Sequence, residues 1–319
     1  MIRIGLISNP RSQRNRRGLD DLKAVSARVP DLLHREVAGE GEGSLAAILG
    51  EFAAREVGLL VVSGGDGTVQ RTLTELLEAQ PFERLPSVAI LPRGMANMTA
   101  GDVGLRGRSA AALRRLIERA RAGDLGQSEV RRKILRVENI RNSPPQRCLF
   151  FGAAAIYDAI ELCCRQVYAR GLKGNLGMGL TLGGLLLSSL LGRPEGALRA
   201  HDISVAVDAQ PAMRARRLLV LATTLERLIL GSRPFWNQGK GAIRFTSIAH
   251  PPLHLIRSAP KVLYGWRRAT LPEDYVSGGA ERIALRLDGA FTLDGEFFEP
   301  VPDQPILLTA TDELRFVRL

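Results

Sequence analysis

Residues 59–68 read Leu-Leu-Val-Val-Ser-Gly-Gly-Asp-Gly-Thr. The apolar run at the start is typical of a short strand buried on both faces of a parallel sheet. The glycines after it allow a sharp turn and leave backbone N–H groups open to an anion, while Thr68 is placed to cap a following helix. The stretch therefore predicts a strand, a phosphate-binding loop and a helix in succession. A plain glycine-rich turn is the alternative.

Strands and helices alternate over the first 125 or so residues. Extended segments are predicted at 2–8, 59–63 and 88–91, and helical segments at 18–28, 45–55, 68–77 and 109–122. This alternation is typical of an open parallel α/β sheet. Ligands of such sheets bind beyond the carboxyl ends of the strands, and the chain places conspicuous loops there at 9–12, 64–68 and 92–97.

Beyond Asp124 the pattern changes to short alternating segments separated by Pro, Gly and Asp. We therefore predict an α/β protein of two domains: a Rossmann-like three-layer domain at residues 1–126, and a mostly antiparallel β-sandwich-like domain at residues 127–301 with a helical insertion near residues 157–191. The uncharged segment 176–191 is shorter than the roughly 20 residues that span a membrane. We expect it to form a core helix or an apolar wall that admits an acyl chain.

The chain carries a large excess of positive charge. Of its 319 residues, 44 are Lys or Arg and 33 are Asp or Glu, which gives a net charge of +11. This excess favours an anionic membrane, nucleic acid or a phosphorylated substrate as partner, although a generally arginine-rich composition would also produce it. Nucleic acid is disfavoured, because aromatic residues make up only 5% of the chain and none is interleaved with the clustered arginines for base stacking.

The basic residues are concentrated in one region, with ten of them between residues 105 and 136 against three acidic residues. They surround the predicted amphipathic helix at 109–122. Such a helix can lean on an anionic bilayer, and a solvated face is the alternative. The three cysteines lack the spacing of a zinc site, and the N-terminus lacks the apolar core and cleavage site of a signal peptide. We therefore expect a cytoplasmic protein.

A second chemical signal lies near the C-terminus at Asp294-Gly295-Glu296. If residues 291–297 are extended, Asp294 and Glu296 point to the same side of the strand. Two carboxylates on one face can bind a metal or act as a general base. The alternative is a hairpin turn that begins with Asp-Gly.

These motifs together resemble the catalytic-domain family of diacylglycerol kinases, which includes bacterial lipid kinases and the sphingosine and ceramide kinases. The resemblance is carried, in chain order, by Asn9-Pro10, Gly64-Gly65-Asp66-Gly67-Thr68, Pro92-Arg93-Gly94-Met95-Ala96-Asn97 and Asp294-Gly295-Glu296. It implies an ATP-dependent kinase, with ATP and Mg²⁺ as cofactors, that phosphorylates a hydroxyl of diacylglycerol or a related lipid alcohol. It also implies that residues 1–126 bind the nucleotide and that residues 302–319 can complete that domain.

The resemblance assigns roles to individual residues. Asp66 would be catalytic and would act on magnesium through water, and Glu296, with Asp294, would be the base for the lipid hydroxyl. The nucleotide would be held by residues of the three N-terminal motifs, namely Asn9, Pro10, Arg11, Ser63, Gly64, Gly65, Gly67, Thr68, Arg93, Gly94 and Asn97. The two arginines are assigned from their loop positions alone.

Two positions depart from the family pattern, since Met95 replaces a threonine and Met98 an aspartate. Two alternatives therefore stay open: a kinase of a soluble substrate, similar to NAD kinase, and a lipid-binding or regulatory protein on a kinase scaffold. The expected partners are a lipid substrate and an anionic membrane surface, without nucleic acid. A homodimer is left open, and the expected location is the inner face of the membrane.

Overall fold

The computed structural model describes residues 2–39, 41–170, 200–237, 239–265 and 271–319. The chain divides into two units, of which unit 1 comprises Met1–Arg132 with Glu313–Leu319 and unit 2 comprises Lys133–Asp312. The segment 176–191 and the later part of the predicted helical insertion lie outside the described residues. None of the helices within the described ranges has both the length and the hydropathy of a membrane span.

Unit 1 is built on a six-stranded sheet with the strand order β2-β1-β3-β4-β17-β5. The neighbours from β2 to β17 are parallel. Numbered along the chain, the elements of this unit are β1 (Arg3–Ser8), α1 (Leu19–Ser26), β2 (Leu32–Glu36), α2 (Leu45–Ala54), β3 (Val57–Gly64), α3 (Asp66–Glu78), β4 (Ser87–Pro92), α4 (Met98–Val103), α5 (Ser109–Ala122), β5 (Glu129–Lys133) and β17 (Glu313–Val317).

The central strands β3 and β4 are buried on both faces of the sheet, which explains why they are continuously apolar rather than alternating. On one face, Ile4 and Leu6 of β1 join a core with α1 and α5. On the other face, Phe52 of α2 packs against Gly5, so closely that a Cβ built on Gly5 would lie 2.5 Å from the ring. Alternate residues of one strand therefore pack against helices on opposite faces of the sheet.

The last strand of the chain lies inside this sheet, because Phe316 of β17 pairs in parallel with Val88 of β4. Of residues 302–319, only those from Glu313 onward belong to unit 1, whereas Ile306–Thr309 is a strand of the other sheet.

Unit 2 contains one large sheet of eleven strands, which branches at β10. The assigned pairings within it are antiparallel. Its elements are β6 (Leu135–Glu138), β7 (Gln146–Cys148), β8 (Phe150–Ala154), α6 (Ala155–Arg170), β9 (His201–Val207), β10 (Met213–Thr223), β11 (Ile243–Ala249), α7 (Leu255–Tyr264), β12 (Tyr275–Ala280), β13 (Arg282–Arg286), β14 (Phe291–Leu293), β15 (Glu296–Phe298) and β16 (Ile306–Thr309).

Strand β10 organises this sheet. Its first half pairs with β9, its second half pairs with β8, and β11 runs along its other edge with a register shift between Arg217 and Leu219. The main core contains Phe151, Phe291 and Leu285, and a smaller core contains Trp236 and Val262. The predicted fold class, a parallel α/β domain followed by a mostly antiparallel β domain, is confirmed.

The contact between Gly5 and Phe52 predicts that Gly5→Ala lowers the free energy of unfolding by about 1–3 kcal/mol, because the added methyl overpacks the core. A matched control is Gly50→Ala in α2, where a Cβ meets nothing within 4 Å. That variant should be more stable by about 0.5–1 kcal/mol, since alanine is the better helix former. Urea unfolding measures both. If Phe52→Leu does not rescue Gly5→Ala, the steric explanation is wrong.

Candidate active site

The loop after β1 is attached to the start of α3 by Asn9. Its side-chain Nδ2 donates to Thr68 Oγ1 at 2.9 Å, and its Oδ1 accepts the Arg11 N–H at 2.9 Å. Its backbone N–H donates to the Ser63 carbonyl at 3.0 Å. Asn9 therefore sets the position of the loop. The predicted helix cap at Thr68 is wrong, because Thr68 is the third residue of α3 and the N-cap is Gly65.

Asn15 strengthens the same junction and is not one of the residues predicted from the sequence. It is almost completely buried, and its Nδ2 donates to the carbonyls of Asn9 at 2.8 Å and Ser63 at 3.0 Å. Its Oδ1 accepts the Ser63 hydroxyl at 3.2 Å. Since buried polar groups are costly without partners, this set of bonds holds the two loops together. No motif around Asn15 signals this role.

The loops after β3 and β4 lie backbone against backbone at Gly65 and Gly94. A Cβ built on Gly94 would lie 2.4 Å from the Gly65 Cα atom, so no larger residue fits without displacement. Asn97 closes the second loop, because its Oδ1 accepts the Gly94 N–H at 2.7 Å and its Nδ2 donates to the Gly94 carbonyl at 2.9 Å. Asn97 has a positive φ of 50°, which asparagine tolerates better than most residues.

Asp66 joins these two loops electrostatically. It is the first residue of α3, and its carboxylate accepts the backbone N–H groups of Met98 at 3.1 Å and Thr99 at 3.0 Å. Burial raises the pKa of the Asp66 carboxyl above its ordinary value, and the hydrogen bonds from Thr99 and Met98 oppose that rise. Both oxygens are therefore already engaged with the protein.

The guanidinium of Arg93 contacts the segment that leads from the loop after β1 to helix α1. Nη2 donates to the Gly18 carbonyl at 3.1 Å and Nη1 to the Arg14 carbonyl at 3.4 Å. Burial lowers the pKa of Arg93, and the charge of Asp21 partly offsets this. These contacts brace the loop, so the phosphate contact assigned to Arg93 stays a prediction. The side chain of Arg11 is exposed.

The three strand-end loops together form a setting that suits an anion. The first turn of an α-helix leaves N–H groups without intrahelical partners, and α3 begins at Asp66 and Gly67 between the Asn9 loop and the Gly94 loop. This arrangement fits the phosphates of ATP. For Mg²⁺ the site offers fewer ligands, because the described residues contain no cluster of three or more His, Cys, Asp or Glu side chains. Asp66 would therefore reach the ion through water.

Of the two predictions for Asp294 and Glu296 in unit 2, the hairpin turn is confirmed and the extended segment is wrong. Residues 291–297 are not one extended segment, because Asp294 and Gly295 form the two-residue turn of a hairpin in which Leu293 pairs with Glu296. Both turn residues have positive φ, 48° and 92°, which Asp-Gly adopts more readily than other pairs. The two carboxylates therefore occupy different environments: Asp294 is buried and Glu296 is exposed.

Asp294 holds the start of β8. Its Oδ2 accepts the Leu149 N–H at 3.0 Å, and its own N–H donates to the Phe150 carbonyl at 3.0 Å. Thr223, which the sequence did not single out, donates its hydroxyl to the Leu149 carbonyl at 2.6 Å. The neighbouring Cys148 thiol has a pKa raised well above its ordinary value by burial and by the charge of Asp294, so it is not a reactive group.

The contact with Leu149 predicts different results for two substitutions of Asp294. Asp294→Ala leaves the buried Leu149 N–H without its acceptor and should cost about 1–3 kcal/mol of unfolding free energy. Asp294→Asn keeps an acceptor and a residue that suits the turn, so its loss should be below about 1 kcal/mol. Chemical denaturation distinguishes the two. Equal losses would contradict a hydrogen-bonding role.

The raised pKa of Asp66 gives a pH-dependent prediction. A carboxyl whose pKa is raised by folding contributes stability below its unfolded pKa of about 3.9, and this contribution is lost as pH rises through the folded value. Wild type should therefore lose stability relative to Asp66→Asn as pH rises over that range. Thermal unfolding across acidic and neutral pH tests this. The opposite slope would mean that the amide hydrogen bonds outweigh desolvation.

The N-terminal part of the chain, which contains this site, is similar to known proteins. Residues 3–128 match the diacylglycerol kinase catalytic domain, and no curated protein is similar in sequence at a significant level. A crystal structure of a diacylglycerol kinase from Bacillus anthracis strain Sterne aligns with a TM-score of 0.61 at 17% identity, covering 98% of this chain and 96% of the other. A second structure from that strain, of a protein provisionally assigned as a diacylglycerol kinase, aligns with a TM-score of 0.64 at 18% identity, covering 99% and 97%.

The structural likeness extends over nearly the whole chain, while the sequence match contains all three strand-end loops of unit 1. The family resemblance seen in the motifs is confirmed for these residues. Residues 3–128 thus match the model of the diacylglycerol kinase catalytic-domain family.

Proposed function

We propose that the protein is an ATP-dependent kinase that transfers the γ-phosphoryl group to a hydroxyl of a lipid, with diacylglycerol or a related lipid alcohol as substrate. The observation that carries this proposal is the joining of the three strand-end loops by the Asn9–Thr68 bond, the Gly65–Gly94 contact and the Asp66 carboxylate. These contacts fix the N-terminus of α3 in a rigid setting. The match of residues 3–128 to the diacylglycerol kinase catalytic domain supports a kinase.

In this proposal, unit 1 positions the nucleotide. The first-turn N–H groups of α3 bind phosphate oxygens, and Asn9 and Asn97 hold the flanking loops so that little ordering is needed when the nucleotide binds. A magnesium ion on the phosphates would neutralise charge that develops during phosphoryl transfer. Asp66 would orient a water of that ion while its oxygens remain bonded to the Met98 and Thr99 amides.

Glu296 is the proposed base for the acceptor hydroxyl. It is exposed at the first position of β15, and an exposed carboxylate can accept the proton of an attacking hydroxyl. The bond from phosphorus to the new oxygen forms as the bond to the β–γ bridging oxygen breaks, and ADP leaves. Asp294 is buried and bonded to Leu149, so its proposed role is to hold the hairpin that presents Glu296.

The alternative of a regulatory protein without turnover rests on Met95 and Met98. Met98 is buried and contributes only its backbone N–H to Asp66, so a second carboxylate is missing beside the first. This alternative predicts ATP binding with no phosphorylated product. The kinase proposal predicts turnover in spite of both replacements, because the positions and N–H groups of the loops do not depend on those two side chains.

The first test is ATP consumption by the purified protein with magnesium, over diacylglycerol, monoacylglycerol, sphingosine, ceramide and NAD, with and without anionic vesicles. Turnover on one lipid alcohol is the expected result. Turnover on NAD alone would overturn the lipid assignment. ATP binding with silence across the whole panel would favour the regulatory protein.

Asp66→Asn should reduce turnover by on the order of 100-fold or more, because it removes the charge that orients the metal-bound water. Glu83→Gln is a matched control, since Glu83 is an exposed carboxylate between α3 and β4, outside the three loops. It should retain wild-type turnover. Near-wild-type activity of a folded Asp66→Asn protein would remove Asp66 from the mechanism.

Glu296→Gln should lower kcat by about 100-fold and leave the affinity for ATP unchanged, since the residue acts on the acceptor. Glu299→Gln, on the same exposed edge, is the control. If kcat is unaffected, the hairpin has only a structural role.

A further inference from the structure

Most of the clustered basic residues of unit 1 and its border are engaged within the protein. Arg115 donates to the Arg106 carbonyl at 2.6 Å, and Arg119 donates to Ser128 Oγ at 2.6 Å. The others with partners are Arg131 with Glu313, Arg132 with Asp102, Lys133 with the Thr311 carbonyl and Arg136 with Glu138. The basic cluster of the sequence is therefore largely a set of internal contacts.

Three exposed arginines surround one groove. Arg28 lies just beyond the end of α1, and Arg114 and Arg121 lie on α5; all three are exposed. Within the described parts of the chain, none of the three guanidinium groups has a hydrogen-bond or ion-pair partner. They line a cavity of about 270 Å³ between the two helices. We call this cavity, with its three arginines, the arginine groove.

The floor of the arginine groove is apolar. Val25, Val29 and Ile117 line it, and their side chains also belong to the core beneath α1 and α5. One carboxylate, Glu118, lies on the rim, so the groove has three cations against one anion. Three exposed guanidinium groups around one groove match a layer of anionic lipid head groups, whose phosphates arginine binds.

We propose that the arginine groove docks the protein on an anionic membrane surface. The proposal rests on the proposed lipid kinase function, because a lipid acceptor is presented by a bilayer. The groove is open and has no buried polar side chain that would select one small anion. The groove therefore suits a surface of many negative lipid head groups. The net charge of +11 strengthens the attraction of the protein to such a surface.

The test is sedimentation with vesicles of phosphatidylcholine alone and of phosphatidylcholine mixed with phosphatidylglycerol, in the absence of ATP. Wild type should bind the mixed vesicles and release as salt is raised, because screening weakens the attraction. The triple variant Arg28→Gln, Arg114→Gln, Arg121→Gln should lose on the order of 100-fold in partition coefficient, about fivefold for each arginine near the surface. Binding of that variant at the wild-type level would overturn the proposal.

A matched control removes the same charge elsewhere. Arg84→Gln, Arg282→Gln and Arg286→Gln change three exposed arginines whose side chains have no partner in the described residues. This variant should stay within about fivefold of wild type. An equal loss in the control would show that net charge, and not the groove, drives binding. Equal thermal unfolding of the variants excludes misfolding.

A second variant separates a bilayer from a discrete anion. Arg28→Lys, Arg114→Lys, Arg121→Lys keeps the charge and should keep vesicle binding, whereas a bidentate phosphate site would lose it. Displacement by inorganic phosphate, but not by sodium chloride of equal ionic strength, would also overturn the membrane assignment. Binding of duplex DNA through these arginines, without vesicle binding, would assign the groove to nucleic acid.

Failure of this proposal differs from failure of the kinase proposal. If the protein binds mixed vesicles through the arginine groove but phosphorylates no lipid, only the kinase proposal is contradicted. If the protein phosphorylates lipid and the triple glutamine variant still binds vesicles, only the proposed role of the groove is contradicted. With a short-chain diacylglycerol in detergent, the triple glutamine variant should retain wild-type turnover, since none of the three arginines belongs to the strand-end loops.

Discussion

The backbone contact between Gly65 and Gly94 constrains everything at the carboxyl edge of the parallel sheet. Since a Cβ on Gly94 would lie 2.4 Å from the Gly65 Cα atom, the loops after β3 and β4 can approach only without side chains at this point. Their approach brings Asp66 within hydrogen-bonding distance of the Met98 and Thr99 amides. The position of α4 and the environment of the Asp66 carboxylate both follow from this single close contact.

The electrostatics of that carboxylate are a balance of opposing effects. Burial disfavours the charged form, and two backbone amides at the start of α4 favour it. Hydrogen bonds to a charged group stabilise by about 1.5–3 kcal/mol each, so the amides recover much of the desolvation cost. The pKa of Asp66 stays above its ordinary value, a displacement that is frequent among enclosed carboxylates at functional sites.

Unit 2 uses a carboxylate in a different way. Asp294 is inside a tight hairpin turn, where its positive φ and its bond to Leu149 make it a structural residue. The neighbouring Glu296 is exposed and shares none of these described contacts. The sequence suggested that these two acidic residues act together. The turn separates them, so that Asp294 supports the backbone and Glu296 is available to a ligand.

Local patterns in the sequence determined much of this protein. The apolar runs and their spacing predicted β1, β3, β4 and the helices α2, α3 and α5 within a few residues, and the glycine motif located the loop before α3. Burial on both faces makes a strand continuously apolar, and that signal is contained in the strand itself. Tertiary structure alone decided the partners: Asn15 bonds to the Ser63 carbonyl 48 residues away, and Asp66 to the Met98 amide 32 residues away. It also placed the Arg93 guanidinium against the Gly18 carbonyl, brought β17 into the first sheet and gathered Arg28, Arg114 and Arg121 around one groove, where they have no partner among the described residues. Hydrophobic periodicity records which side of an element is buried, but it does not record which distant residue will meet it, because that depends on how the chain packs in three dimensions.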